Sequence, residues 1–271
     1  MPYISLSAIF ILGKKAEISN RTYRQPTCFC CTSKCVNMFI SHKCYLKINP
    51  KLERLSGRMK AIAINGSPRK GWNTEKLLKE ALRGAESVGA ETKLVQLYDL
   101  NYTGCRSCFA CKRQGAESYN CAFKDGLTPV LEEIFNADVL FLGSPIYFGG
   151  ISGQMVGFIE RLGFPLLSYD DYTKRLFDGK INAALFLTMN APEAFYKSNM
   201  EQSLKNRAGI LQRLGGTVEV YAACDTYQFS DYSKYHTGML DEVHKRKVRE
   251  EQFPKDMEAA YEIGRRLTSF E

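Results

Sequence analysis

From residue 59 onward, short apolar runs alternate with stretches in which apolar residues recur every three or four positions. Lys60 to Asn65 (KAIAIN) reads as a first strand. Residues 73–88 then place Leu77, Leu78, Ala81, Leu82, Ala85 and Val88 on one helical face. Glu91 to Leu97 alternates apolar with polar and predicts a second strand. Leu127 to Asn136 predicts a helix, and Asp138 to Gly143 an apolar strand of the kind buried in a parallel sheet. Ser152 to Leu162 predicts a helix facing inward through Met155, Val156, Ile159 and Leu162. Ile181 to Thr188 predicts a fourth strand, residues 196–214 a helix, Thr217 to Ala222 a fifth strand and Met257 to Leu267 a closing helix. Five strands alternating with helices make a doubly wound α/β fold on a parallel sheet. Right-handed crossovers put its binding crevice beyond the carboxyl ends of the strands, where their order reverses.

Residues 1–58 sustain no such period. The chain carries 37 Lys/Arg against 29 Asp/Glu; ten of the cations and two of the anions precede residue 59, which leaves 27 of each sign in the remainder. The basic surplus therefore belongs to the leading segment, and no nucleic-acid footprint is expected on the domain spanning 59–271. Cys28, Cys30, Cys31, Cys35 and Cys44 also lie in the leader, at spacings that match no common zinc or cluster pattern. The expectation is a disordered basic extension, or a native chain that starts at Met59; a small metal-binding tail is the alternative. No run of 18 apolar residues occurs, and the opening MPYISLSAIFILG has no basic residue before it and no clean cleavage site. No membrane span and a cytoplasmic location are expected.

The first strand runs into NGSPRKGWNT, Asn65 to Thr74. A Walker loop would close in Gly-Lys-Ser/Thr and a dinucleotide fingerprint would read G-x-G-x-x-G, and the segment is neither. The Ser67 and Thr74 hydroxyls, the Asn73 amide and successive backbone N–H groups can still wrap a phosphate at the positive end of the next helix. An ordinary turn is the competing reading. The third strand runs into GSPIYFGGISGQ, Gly143 to Gln154. Tyr147 and Phe148, held between Pro145 and the pair Gly149–Gly150, can wall a flat ligand that the glycine backbone approaches closely. Ser152 reads as the N-cap of the following helix, and a hydrophobic turn with packed aromatics is the competing reading.

GSPRKGWNT and SPIYFGGISGQM resemble the FMN-binding loops of the flavodoxin-like NAD(P)H-dependent FMN reductases, and more closely their iron–sulfur flavoprotein branch. The resemblance covers residues 59–271. It implies a flavodoxin-like five-stranded sheet of order 2-1-3-4-5, with Ser67, Arg69, Asn73 and Thr74 around the flavin phosphate. It implies Pro145, Ile146, Tyr147, Phe148 and Gly149 along the isoalloxazine, and a third loop at Thr188-Met-Asn-Ala191 that brings Thr188 and Asn190. The flavin would carry the redox step, so no catalytic side chain is required. The implied donor is NAD(P)H or a reduced redox protein, the acceptor a small molecule or another redox protein, and the assembly a homo-oligomer. A metal-free FMN or quinone reductase and a non-enzymatic flavin electron carrier are the alternatives.

Within the loop 103–122, Cys105-x2-Cys108-x2-Cys111-x9-Cys121 can curl several thiolates around one centre. An all-sulfur set suits a [4Fe–4S] cluster or a structural zinc, and the compact run favours iron–sulfur over zinc. The resemblance points the same way, although the nine residues before Cys121 exceed the family's usual gap. Loop closure costs roughly 0.6 kcal/mol per doubling of length, so the longer gap is no bar. It leaves Cys224 or a leader cysteine as substitutes for the fourth ligand, and metal-free thiols as the plain alternative. Cys224 otherwise reads as a small buried hydrophobe. His42, His236 and His244 have no metal spacing, and Tyr227, Phe229, Tyr232 and Tyr235 form a substrate mouth, a subunit contact or a packed loop.

Overall fold

β1 (Lys60–Asn65) is buried along nearly its whole length because parallel neighbours flank it and helices cover both of its faces. It belongs to a computed structural model that describes residues 57–116 and 119–269. The expectations for the leader and its five cysteines fall on residues 1–56, outside the described residues. The remaining strands are β2 (Glu91–Gln96), β3 (Val139–Tyr147), β4 (Gly150–Ile151), β5 (Ile181–Thr188) and β6 (Gly215–Ala223). The helices are α1 (Asn73–Ser87), α2 (Thr128–Ile134), α3 (Gly153–Gly163), α4 (Glu193–Asn199), α5 (Glu201–Ala208), α6 (Glu242–Glu251) and α7 (Phe253–Thr268).

The sheet path is β2-β1-β3-β5-β6, parallel throughout, with β4 hydrogen-bonded antiparallel to β3. It therefore has six strands where five were expected. The extra strand is the short return of a hairpin: β3 runs past Gly143 to Tyr147, and Ile146 and Tyr147 pair with Ile151 and Gly150. Register along β1 and β3 (Ile62 opposite Leu140, Ile64 opposite Leu142) splits the core by the two-residue period of the strands. Ile62, Ile64, Leu140 and Leu142 join Met155, Phe158 and Leu162 on one face. Ala61, Ala63, Val139 and Phe141 join Leu77, Leu78, Ala81 and α7 on the other.

Three further departures have plain causes. The helix expected over 196–214 breaks at Met200 and closes as a 3-10 turn, Gly209–Leu214. Val88 follows the last helical residue of α1 and is exposed rather than core-facing. α6 escaped the periodicity because it has no apolar stripe; its one fully buried residue is Lys245. Among the described residues no helix is long and apolar enough to cross a membrane.

α1 and α7 meet backbone to backbone. A Cβ on Gly84 would lie 2.1 Å from the Tyr261 carbonyl oxygen, and one on Gly264 would lie 1.9 Å from the Ala81 oxygen. Alanine gains up to about 1 kcal/mol of helix propensity over glycine, but forced separation of packed elements costs about 1–3 kcal/mol. The steric effect wins, so Gly84→Ala is expected to lower the unfolding free energy by about 1–2 kcal/mol in urea titration.

Candidate functional site

The loop after β1 is held by its own polar groups. The Ser67 N–H donates to Asn65 Oδ1 (3.0 Å), and the Arg69 N–H to Ser67 Oγ (3.2 Å). Gly71, at φ +73°, turns its N–H to Glu75 Oε2 (2.9 Å). Burial pushes the Glu75 carboxyl up, but hydrogen bonds from Lys79, Gly71 and Gln96 outweigh it and hold the group below the usual carboxylate range. α1 begins at Asn73 after Trp72, whose side chain makes no cap hydrogen bond. First-turn N–H groups of a helix otherwise depend on a cap, water or ligand, and an anion is the ligand that the dipole favours. Arg69 lies over the Trp72 ring at 3.5 Å, and Arg249 of α6 donates to Asn73 Oδ1 (3.1 Å). Burial, followed by the nearby Arg249 charge, pulls the Lys76 ammonium below its ordinary value; Arg69 in the lining and Arg249 on Asn73 make this end of the site cationic.

Two hydroxyls tie the other loops to this one. Ser152 caps α3 by accepting the Met155 N–H (3.3 Å) and donates its own proton to the Gly66 carbonyl (2.6 Å). Thr74 and Thr188 share a hydrogen bond of 2.7 Å between buried hydroxyls. Ser67, Arg69, Asn73, Thr74, Pro145, Ile146, Tyr147, Thr188 and Asn190 consequently line one cleft at the carboxyl ends of β1, β3 and β5. Phe148 and Gly149 do not. They occupy the tip of the β3–β4 hairpin at φ +51° and +79°, and the Phe148 ring is wholly exposed. The hairpin that creates β4 carries them past the cleft wall.

The lining extends beyond the candidate flavin residues: Trp72 and Met189 come from the loops after β1 and β5, Tyr227 from the aromatic segment offered as a mouth, and Thr226 and Gln228 were not expected. Asn73 Nδ2 donates to the Tyr227 carbonyl (2.8 Å), and Arg69 Nη1 to that of Gln228 (2.6 Å). The rest of the aromatic segment packs on itself: Phe229 stacks on Tyr235 at 4.2 Å, and Tyr232 is buried against Tyr227. One polar atom in the lining stands out. The side-chain oxygen of Asn190 is buried and has no hydrogen-bond partner. A buried acceptor of that kind costs about 1–3 kcal/mol unless a donor reaches it, so the donor set and the orphaned acceptor fit a phosphorylated ring with a polar edge. Burial pushes the Tyr147 phenol up, which keeps it an O–H donor at neutral pH. A larger cavity of about 350 Å³, among Asp138, Lys180, Asn182 and Arg266, lies at the opposite end of the strands, away from the end where α/β sheets bind ligands.

Cys105, Cys108, Cys111 and Cys121 line a single small cavity between their loop and α3. Cys224 is not among its residues; it packs half-buried against the core, and burial pushes its thiol up to about 11. Of the described cysteines it is therefore Cys121, not Cys224, that the fold brings to the other three. Ser107 and Phe109 take positive φ (51° and 55°), which turns the loop between successive cysteines. Among the described residues, however, no three Cys, His, Asp or Glu side chains are gathered closely enough to hold a metal ion. The thiol set has the chemistry of a cluster site, but its sulfurs are not drawn to coordinating distance.

Arg161, 1% exposed, organises the loop. Its guanidinium donates to Cys121 Sγ (3.1 Å), to the carbonyls of Thr103 (3.0 Å) and Phe123 (2.8 Å), and to both oxygens of Asp125. Lys112 adds a bond to the Phe164 carbonyl at the end of α3 (2.6 Å). Burial pushes the Asp125 carboxyl up, but bonds from Arg161, Leu127 and Thr103 prevail and hold it below its ordinary 3.8. Removing one partner of such a buried pair costs about 3–5 kcal/mol, the loss expected for Arg161→Met in urea unfolding. Because the folded carboxyl is depressed, its contribution is complete above pH 3.8 and disappears as pH falls through the lower folded value. The stability gap between the native chain and Asp125→Asn should therefore be widest near neutrality and shrink in acid when unfolding is measured across pH.

Comparison with known proteins agrees with this geometry. An iron–sulfur flavoprotein of Methanocaldococcus jannaschii is 38% identical over 113 residues, 40% of this chain and 56% of that protein. One from Archaeoglobus fulgidus is 36% identical over 103 residues, 38% of this chain and 48% of its own. The chain thus spans about half the length of the curated relatives it matches. The NAD(P)H:quinone oxidoreductase from Methanothermobacter marburgensis superposes with a TM-score of 0.56 at 14% identity, over 79% of this chain and 99% of that one, a likeness of fold. The family model of the NADPH-dependent FMN reductases matches residues 59–213, more than half of the sequence and all three cleft loops, and the chain belongs to that family.

Proposed function

We propose that residues 59–271 bind FMN in the cleft and transfer electrons between NAD(P)H, or a reduced redox protein, and an acceptor. The observation that carries the reading is the convergence of three hydroxyl-linked loops on one cleft, cationic at the α1 end and closed by the orphaned Asn190 oxygen. Ser67, Arg69, Asn73, Thr74 and the first-turn N–H groups would hold the phosphate. Pro145, Ile146 and Tyr147 would wall the ring, while Thr188 and Asn190 meet its polar edge. Bound FMN would supply hydride and single-electron chemistry, and the protein fixes its orientation and shields it from water. Phe148 and Gly149 belong to the rim instead, where an exposed aromatic favours contact with a second copy of the chain. A homo-oligomer in the cytoplasm remains part of the proposal.

We further propose that Cys105, Cys108, Cys111 and Cys121 hold a [4Fe–4S] cluster, supported by their common cavity and by the names of the two archaeal relatives. Arg161 and Lys112 would offset thiolate charge there, and Arg161 would fix Cys121 through its N–H···S bond. The ungathered sulfurs favour a second reading, a metal-free FMN-dependent reductase with a thiol loop.

Anaerobic purification of the full chain with flavin, iron, sulfide and zinc analysis separates the two. The expected result is about one FMN and about four irons per chain; FMN without iron supports the metal-free reading, and failure to take up FMN removes both. Arg69→Ala should weaken FMN binding about tenfold to a hundredfold by fluorescence titration, the scale of a lost charge-assisted hydrogen bond. Cys111→Ser should lose iron while keeping FMN.

A further inference from the structure

α6 is an unusual element. Nothing apolar in it is fully buried; besides Arg249, which reaches Asn73, the side chain it sinks into the domain is that of Lys245, 4% exposed. Burying an ammonium is expensive unless it is paired and hydrogen-bonded, so its partners show what the helix is for. Lys245 Nζ donates to a carboxylate oxygen of Asp225 and to the main-chain carbonyl of Asn190 (2.8 Å). The second Asp225 oxygen faces His244 Nε2. Asp225 holds a left-handed backbone conformation at φ +57°, strained for a residue with a side chain, at the turn after β6. Burial pushes its carboxyl up, but bonds from Lys245 and His244 prevail, which keeps it ionised. Its N–H donates to the Ala191 carbonyl (2.8 Å), and Thr226 donates twice to that of Met189. Every carbonyl from Met189 to Ala191 is thus held by a hydrogen bond, while Asn190, whose buried side-chain oxygen has no partner, is among the residues that line the cleft.

We infer that Lys245, anchored by Asp225, is a positioning residue for the cofactor: by fixing the Asn190 backbone it aims the Asn190 side-chain oxygen at the imide N–H on the pyrimidine edge of the flavin ring. The inference rests on the FMN reading. The cluster acts through geometry, since no described contact places the ammonium itself in the cleft lining. It gives the α6 segment a role in selecting the ring, distinct from the phosphate contacts made by Arg69 and Asn73.

The test compares FMN with 3-methyl-FMN, which lacks that N–H, by fluorescence titration of the full chain. The native chain should favour FMN by about tenfold or more, the scale of one buried acceptor left unpaired. Asn190→Ala should erase the preference, Lys245→Met should cut it to within about threefold, and Lys245→Arg should restore part of it. A lysine that merely pegs the helix in place would weaken both flavins alike and leave the ratio unchanged, and that result overturns the inference alone. Should Lys245→Met fail to fold, the same ratio in Asp225→Asn decides: a narrowed preference supports the inference and an unchanged one overturns it. A native chain that takes up neither flavin overturns the FMN reading together with this inference.

Discussion

The Ser152 hydroxyl joins the two loops on which the site is built. It accepts the Met155 N–H as the cap of α3 and donates to the Gly66 carbonyl, while the Ser152 N–H donates in turn to Ser144 Oγ. One side chain thereby starts a helix, closes the β3–β4 hairpin and fixes the distance between the turns after β1 and β3. Gly66 is part of the same constraint, because a Cβ there would sit about 3.0 Å from Met155 and 3.1 Å from Ser152 Oγ. The cleft is narrow on this side because loops so close together cannot part without breaking buried hydrogen bonds.

The sheet and its helices were legible because burial on a parallel sheet imposes unbroken apolar runs such as VLFLG and AALFL, flanked by regular amphipathic helices. The first and third loops were legible for a different reason. Gly, Ser, Pro and Asn at the carboxyl end of a strand suit a turn, and their hydroxyl and amide groups can also meet a polar ligand, which is why these loops were singled out. Phe148 and Gly149 misled because an aromatic beside glycines looks the same at a cleft wall and at a hairpin tip; only the pairing of Tyr147 with Gly150 separates the cases.

What stayed hidden lies far apart in sequence or runs against hydropathy. Gln228 reaches the loop after β1 through its main-chain carbonyl, which leaves no trace in residue type, and Tyr227, offered as a mouth residue for its ring, also holds Asn73 by its carbonyl. α6 was invisible because a helix docked through charged side chains, Lys245 and Arg249, has no apolar stripe to detect. The cysteine spacing could be read directly and offered Cys121 with Cys224 as a substitute, but what decides between them could not. It depends on Arg161, forty positions away, whose guanidinium stands where a patterned sequence would place another aliphatic residue.

The glycine contact between α1 and α7 also bears on how the sheet keeps its cover. Positions 84 and 264 lie at the same contact, so the helix that follows the turn after β1 packs against a segment far along the chain. α1 covers the Ala61–Ala63–Phe141 part of this face, and α7 completes the layer through a contact distant in sequence, the kind that forms slowly. A truncation removing α7 would therefore do more than trim an end: it would uncover the β5 and β6 side of this layer and the glycine face of α1 together.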